Sequence, residues 1–156
     1  MPSYLKEEEK ENQMHRSISE IIDGQSVTTA KPSDTVLAAA ERMKERNIGA
    51  LLVVEGDQLV GIFTERDALY RVLAAGADPA VTKLSEVMTP NPQTITADKP
   101  FRNALHLMYE NGYRHVPVVD GGTPIGVISA RDALGADLIE FESDLQVREN
   151  ISEILG

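Results

Sequence analysis

The sequence predicts an α+β fold made of two βαββα units packed sheet against sheet as a pseudo-two-fold pair. Three observations carry that prediction. First, Ile48 to Leu69 aligns without a gap on Tyr113 to Leu134, each position lying 65 residues after its counterpart; upstream, Thr29 matches Thr94, Ala39 matches Ala104, Met43 matches Met108 and Glu45 matches Glu110. The duplicated unit is therefore about sixty residues long, the signature of a repeated supersecondary block. Second, each copy alternates helical and strand periodicity in the same order. Third, the 156 residues are 42 % hydrophobic and 26 % charged, enough apolar material for one packed core. A unit of sixty residues cannot cover both faces of its own sheet, so the copies are expected to cover each other.

Each copy begins with an extended piece, Val27 to Ala30 or Gln93 to Thr96, followed by a turn marked by Pro32 or by Lys99-Pro100. A helix follows, because Val36, Ala39, Ala40 and Met43 recur at helical spacing, as do Phe101, Ala104, Leu105 and Met108. Two strands come next. Ala50 to Val54 and Leu59 to Phe63 are joined by Glu55-Gly56-Asp57-Gln58, while Val116 to Val119 and Ile125 to Ile128 are joined by Asp120-Gly121-Gly122; both connections are hairpin signals. A second helix closes each copy, from about Glu65 to Ala75 and from about Ala130 to Phe141. The chain divides accordingly into a charged flexible segment 1–16, a first repeat 17–80, a second repeat 81–141 and an acidic amphipathic C-terminal helix 142–156. Val147, Ile151, Ile154 and Leu155 share one face of that final helix, which either covers its own domain or meets a second subunit.

Composition excludes several functional classes. With no cysteine there is no disulfide framework, thiolate nucleophile or cysteine-ligated zinc, as suits a reducing compartment. The longest apolar run, Ala50 to Val54, is far short of the roughly 20 residues that cross a bilayer, and Met1 to Arg16 lacks the apolar stretch of a signal peptide, so a cytoplasmic protein is expected. A net charge of −10 opposes binding to a phosphate backbone, which makes nucleic acid an improbable partner. The acidic excess is concentrated from Asp137 onward, leaving the repeats near enough to neutral for a small anion to find a locally positive pocket. His15, His106 and His115 are too scattered for a metal-ligand spacing. Neither a dinucleotide fingerprint nor a phosphate-loop lysine motif is present, and no catalytic triad or paired carboxylates stand out, so the chain is read as a non-enzyme.

The pattern that carries chemistry is G-h-h-[ST]-x-R-D, found as Gly61-Ile62-Phe63-Thr64-Glu65-Arg66-Asp67 and again as Gly126-Val127-Ile128-Ser129-Ala130-Arg131-Asp132. A hydroxyl at a helix start with an acid three residues later is a capping box, which needs no ligand. The arginine added in both copies points further. Arg66 and Arg131 offer a planar fork to phosphate oxygens, Thr64 and Ser129 offer hydroxyl donors, and Asp67 and Asp132 can accept both hydrogen bonds of a vicinal diol. A ribose phosphate presents both groups. The neighbouring strand edges, Ile48, Gly49 and Ala50 in one copy and Tyr113, Arg114 and His115 in the other, are candidates for an apolar slot.

The duplicated unit ending in this motif resembles a tandem pair of CBS domains, the cystathionine-β-synthase-type regulatory (Bateman) module, over about Ser17 to Leu138. The resemblance implies a pseudo-two-fold pair with two clefts, dimerisation into a flat disc, and adenosyl ligands: AMP or ATP foremost, then ADP, S-adenosylmethionine or NAD. Carried onto matching positions, it puts Thr64, Arg66 and Asp67 in one cleft with Arg114 and His115, and Ser129, Arg131 and Asp132 in a second with Thr28, Ile48, Gly49 and Ala50. The expected function is that of a stand-alone regulatory homodimer that senses cellular energy through an adenine nucleotide and signals to a protein partner. The alternative is a ligand-independent structural module for protein–protein contact.

Overall fold

The computed structural model describes residues 16–133. The expectations for the N-terminal charged segment, the helix beyond Ala133 and the acidic C-terminal helix fall outside the described residues.

In chain order the elements are α1 (Ile18–Ile22), β1 (Thr29–Ala30), α2 (Val36–Arg46), β2 (Ala50–Glu55), β3 (Gln58–Thr64) and α3 (Glu65–Asp67), which runs on into a π-helical stretch, Ala68–Leu73. Then come α4 (Leu84–Val87), β4 (Thr89–Pro90), α5 (Phe101–Asn111), β5 (His115–Asp120), β6 (Thr123–Ser129) and a 3-10 turn, Ala130–Ala133. Local chemistry fixes the helix ends. The Thr35 hydroxyl accepts the Ala38 N–H at the start of α2, and Asn47 ends that helix in the left-handed region at φ 52°. Gly112, at φ 73°, ends α5 and donates its N–H to the Met108 carbonyl.

β1 runs parallel to β2, pairing Ala30 with Val53; β2 runs antiparallel to β3, pairing Leu51 with Phe63. In the second half Ile95 bridges parallel to Val118, and Val116 pairs with Ile128. Both pairings repeat at the 65-residue offset, and so does a bulge, between Val53 and Val54 and again between Val118 and Val119. The pseudo-symmetry therefore extends to individual hydrogen-bond registers.

Strand β2 is buried on both faces, which is why it reads as an unbroken apolar run rather than an alternating one. Leu51, Val53 and Phe63 pack with Val36, Ala39 and Met43 of α2 in one core. Ala50, Leu52 and Ile62 point the other way and pack with Val127 of β6, joining the two sheets. A second core gathers Phe101, Ala104 and Met108 of α5 with Val116, Val118 and Ile128.

The leading helices are exchanged between halves. Ile18 and Ile22 of α1, which opens the first repeat, are buried in the second core, and Leu84 and Val87 of α4, which opens the second repeat, are buried in the first. Two glycines permit the approach. A Cβ on Gly61 would lie 2.4 Å from Met88 Sδ, and one on Gly126 would lie 2.7 Å from Ile22 Cγ2. The packing boundaries thus cut across repeats 17–80 and 81–141: an apolar helical stripe shows that a helix docks, not which of two similar sheets receives it. After α4 the chain adds β4 antiparallel to β3. At the matching place in the second half the Gln25 side-chain amide imitates a strand, donating to the Val127 carbonyl at 3.2 Å and accepting its N–H at 3.1 Å.

Ile18 is fully buried in a core that its own repeat does not supply. Ile18→Ala should cost about 2–5 kcal/mol in urea denaturation, as for other large-to-small core changes. A loss below about 1 kcal/mol, typical of an exposed site, would contradict the exchange.

Candidate functional site

At the first strand-to-helix junction the backbone of Thr64 is extended, and its hydroxyl accepts the Asp67 N–H at 3.2 Å. Asp67 Oδ2 answers by accepting from the Thr64 N–H at 3.0 Å and the Thr64 hydroxyl at 3.1 Å. The capping box read in the sequence is thus complete. Asp67 is the buried charged side chain of the described core, at 8 % exposure, and its second oxygen, Oδ1, lies 3.6 Å from Arg71 Nε. The second junction repeats the carboxylate half of the box: Asp132 Oδ2 accepts from the Ser129 N–H at 2.7 Å and from its hydroxyl at 3.3 Å. Arg16 donates to the Asp132 carbonyl at 2.9 Å.

Each junction is fastened to the start of its own hairpin. The Glu65 N–H donates to the Gly49 carbonyl at 3.0 Å, and the Ala130 N–H donates to the Arg114 carbonyl at 2.9 Å. Gly49 makes room for Glu65 of its own repeat and His115 of the other: a Cβ there would stand 3.0 Å from Glu65 Oε1 and 3.5 Å from His115 Nε2.

Beside the first junction a cavity of about 1060 Å³ lies between the halves. Thr64, Arg66 and Asp67 line it from the first repeat and Arg114 and His115 from the second, so the structure brings together the whole first predicted set. Tyr70 and Tyr113 add aromatic surface, and Arg66 stacks over the Tyr70 ring at 5.6 Å. The lining carries three guanidinium groups, Arg66, Arg71 and Arg114, and two carboxylates, Glu65 and Asp67. The balance suits an anion with hydroxyl groups. Burial pushes the His115 imidazole below its ordinary value and Arg114 pushes the same way, against the opposing pull of Glu65 and Asp132. His115 is accordingly a neutral donor and acceptor at pH 7.

The second predicted set is assigned to a separate cleft. None of Thr28, Ile48, Gly49, Ala50, Ser129, Arg131 and Asp132 lines the cavity. Ala50, expected at a cleft edge, is instead 7 % exposed and packed between the two sheets with Leu52, Ile62 and Val127. Ile48 packs against the first core, and Gly49 backs onto Glu65 and His115. Ala50 pairs with Thr64, so alternation along β2 turns its methyl inward together with Leu52. Thr28 and Asp132 are half-buried and Arg131 is exposed.

Sequence reading also missed residues that line the cavity: Arg71, and the connector Thr89, Asn91 and Pro92. No repeated motif marks them. Arg71 had one available signal, its i,i+4 spacing from Asp67. Among the described residues no group of three or more His, Asp or Glu side chains could hold a metal ion, and no helix is long and apolar enough to cross a membrane.

Two gaplessly related α/β units, docked through their sheets around an inter-repeat cavity, define a tandem-repeat α+β module. The chain belongs to the CBS-domain family, whose sequence profile matches residues 18–74 and 84–139. It is 38 % identical over 121 residues to the CBS domain-containing protein CBSCBSPB1 of Arabidopsis thaliana, covering 77 % of this chain but only 22 % of that relative's length. The solved CBS-domain containing protein ATU1752 from Agrobacterium tumefaciens is similar at a TM-score of 0.71 and 30 % identity, over 78 % of this chain and 99 % of that one. A hexameric CBS-CP12 protein from bloom-forming cyanobacteria is similar at a TM-score of 0.66 and 31 % identity, over 83 % and 81 % of the two chains.

The lowered His115 sets a pH dependence. Below the ordinary histidine value of 6.5 the unfolded chain binds a proton that the folded chain resists, so folding stability falls as pH drops into that window and is fully kept above it. Urea midpoints of the wild type should therefore decline more steeply between pH 7 and 5 than those of His115→Gln. Parallel curves would contradict the burial of this imidazole.

Proposed function

We propose that the chain is a regulatory CBS pair that binds an adenosyl nucleotide, AMP or ATP, in the first cleft and passes its occupancy to a protein partner. The single observation behind this reading is the composite cavity, in which Thr64, Arg66 and Asp67 of one repeat meet Arg114 and His115 of the other. Its size lies at the upper end of small-molecule sites. Arg66, Arg114 and His115 supply donors for phosphate, Asp67 supplies acceptors for a ribose diol, and Tyr113 supplies a face on which a base can stack. Because the lining comes from both halves, a nucleotide that fits one inter-repeat angle better than another shifts the population between them. One that bound both equally would shift nothing.

The reading includes a non-catalytic role, a cytoplasmic setting and a homodimer. Leu69, Leu73 and Tyr109 support the dimer as large apolar side chains at 50 %, 73 % and 90 % exposure. A ligand-independent interaction module is the competing reading, favoured by the completeness of the Thr64–Asp67 capping box.

Thermal denaturation separates the two. AMP or ATP at about a hundred times its dissociation constant should stabilise the protein by about 2.7 kcal/mol and raise the melting temperature by several degrees. Asp67→Ala should abolish that rise, whereas Asp132→Ala should leave it in place. If no adenosyl compound shifts the transition and Asp67→Ala merely costs about 1 kcal/mol, as a lost cap does, the interaction-module reading stands instead.

A further inference from the structure

We propose that Arg71 is a positioning residue that aims the Asp67 carboxylate at the two hydroxyls of a ribose, making the first cleft the one that reads the sugar. The inference rests on the nucleotide reading above and deepens it.

The Asp67 carboxylate is already half spoken for. Oδ2 accepts two hydrogen bonds from Thr64, so the acceptor capacity left for a ligand is chiefly on Oδ1. Arg71 Nε lies 3.6 Å from that oxygen, an ion-pair separation too long for a direct hydrogen bond, so the Oδ1 lone pairs remain usable. The same guanidinium is anchored at its far end. Its Nη1 donates to the Met88 carbonyl at 3.0 Å and the Val87 carbonyl at 3.3 Å, where α4 ends and the connector begins. Arg71 therefore spans from the cavity floor to the connector that forms one wall, and it lines the cavity itself.

Hydrogen-bonded by Thr64 on one oxygen and drawn toward the Arg71 charge on the other, the carboxylate is biased toward one orientation. A vicinal diol needs that, because its two O–H groups must find acceptor sites at a set spacing. A lysine would retain the charge without the planar fork that reaches carboxylate and carbonyls together. The second junction has no such device in its sequence: 65 residues after Arg71 stands Ala136. The two halves thus share the acid at Asp67 and Asp132 but not an arginine four residues after it.

Isothermal titration of the full chain with AMP and with 2′,3′-dideoxy-AMP tests the assignment in the wild type, Arg71→Gln and Arg71→Lys. The wild type should prefer AMP by roughly tenfold or more, the worth of hydrogen bonds to a charged acceptor. Arg71→Gln should weaken AMP by about tenfold while changing dideoxy-AMP by less than about twofold, so that the discrimination collapses. Arg71→Lys, which keeps the charge beside Asp67 and guards against a folding defect, should also lose most of it. Equal weakening of both nucleotides would assign Arg71 to the phosphate and overturn the proposal, as would discrimination undiminished in either variant. A wild type that binds both equally overturns the sugar-reading step alone, and one that binds neither overturns the nucleotide reading beneath it.

Discussion

The exchange of leading helices is the constraint on which the rest of the molecule depends. Ile18 and Ile22 complete the second core and Leu84 and Val87 complete the first, so neither repeat owns a finished hydrophobic interior. The close approach of each exchanged segment to a strand is possible only over a glycine, because Met88 Sδ and Ile22 Cγ2 occupy the space where side chains at positions 61 and 126 would begin. Those glycines open the G-h-h-[ST]-x-R-D motif in both copies. The motif therefore records a packing requirement at its first position and a chemical one at its last.

The site follows from that arrangement. Because α4 must cross to the first core before the chain can begin the second repeat, the connector after it runs beside β3 and contributes Thr89, Asn91 and Pro92 to the cavity. The inter-sheet contact of Ala50, Leu52 and Ile62 with Val127 then sets the first junction against the Tyr113–His115 edge of the other half. Asp67 serves two ends at once. Its Oδ2 closes a capping box that any helix start would favour, while the charge it carries, at 8 % exposure, stands within reach of Arg71 and the cavity. A hydroxyl and an acid three residues apart are by themselves only a cap; the inter-repeat cavity around them is what gives the pair a chemical reading.

Much of this was legible in the sequence because duplication doubles every signal. Pairing of Ala30 with Val53 and of Ile95 with Val118, and bulges at the same place in both hairpins, follow the 65-residue offset. The long helices were legible too, since Val36, Ala39 and Met43 bury one stripe and Phe101, Ala104 and Met108 another. What duplication could not reveal is anything that differs between copies or depends on which half a segment joins. Apolar stripes on α1 and α4 are satisfied equally well by either sheet in principle, so the exchange was invisible. That Ala50 turns between the sheets was not legible either, because a strand buried on both faces gives no alternation to say which way each residue points. Arg71 lacks a counterpart in the second copy, and a search for shared motifs passes over it.

The exchanged packing is most directly tested by proton–proton Overhauser contacts in solution. The account predicts contacts from the Ile22 methyls to the Gly126 α-protons and from the Met88 methyl to the Gly61 α-protons. Contacts from Ile22 to Gly61, the glycine of its own repeat, would show that each leading helix stays with the repeat it opens, and the composite cavity would lose its structural basis.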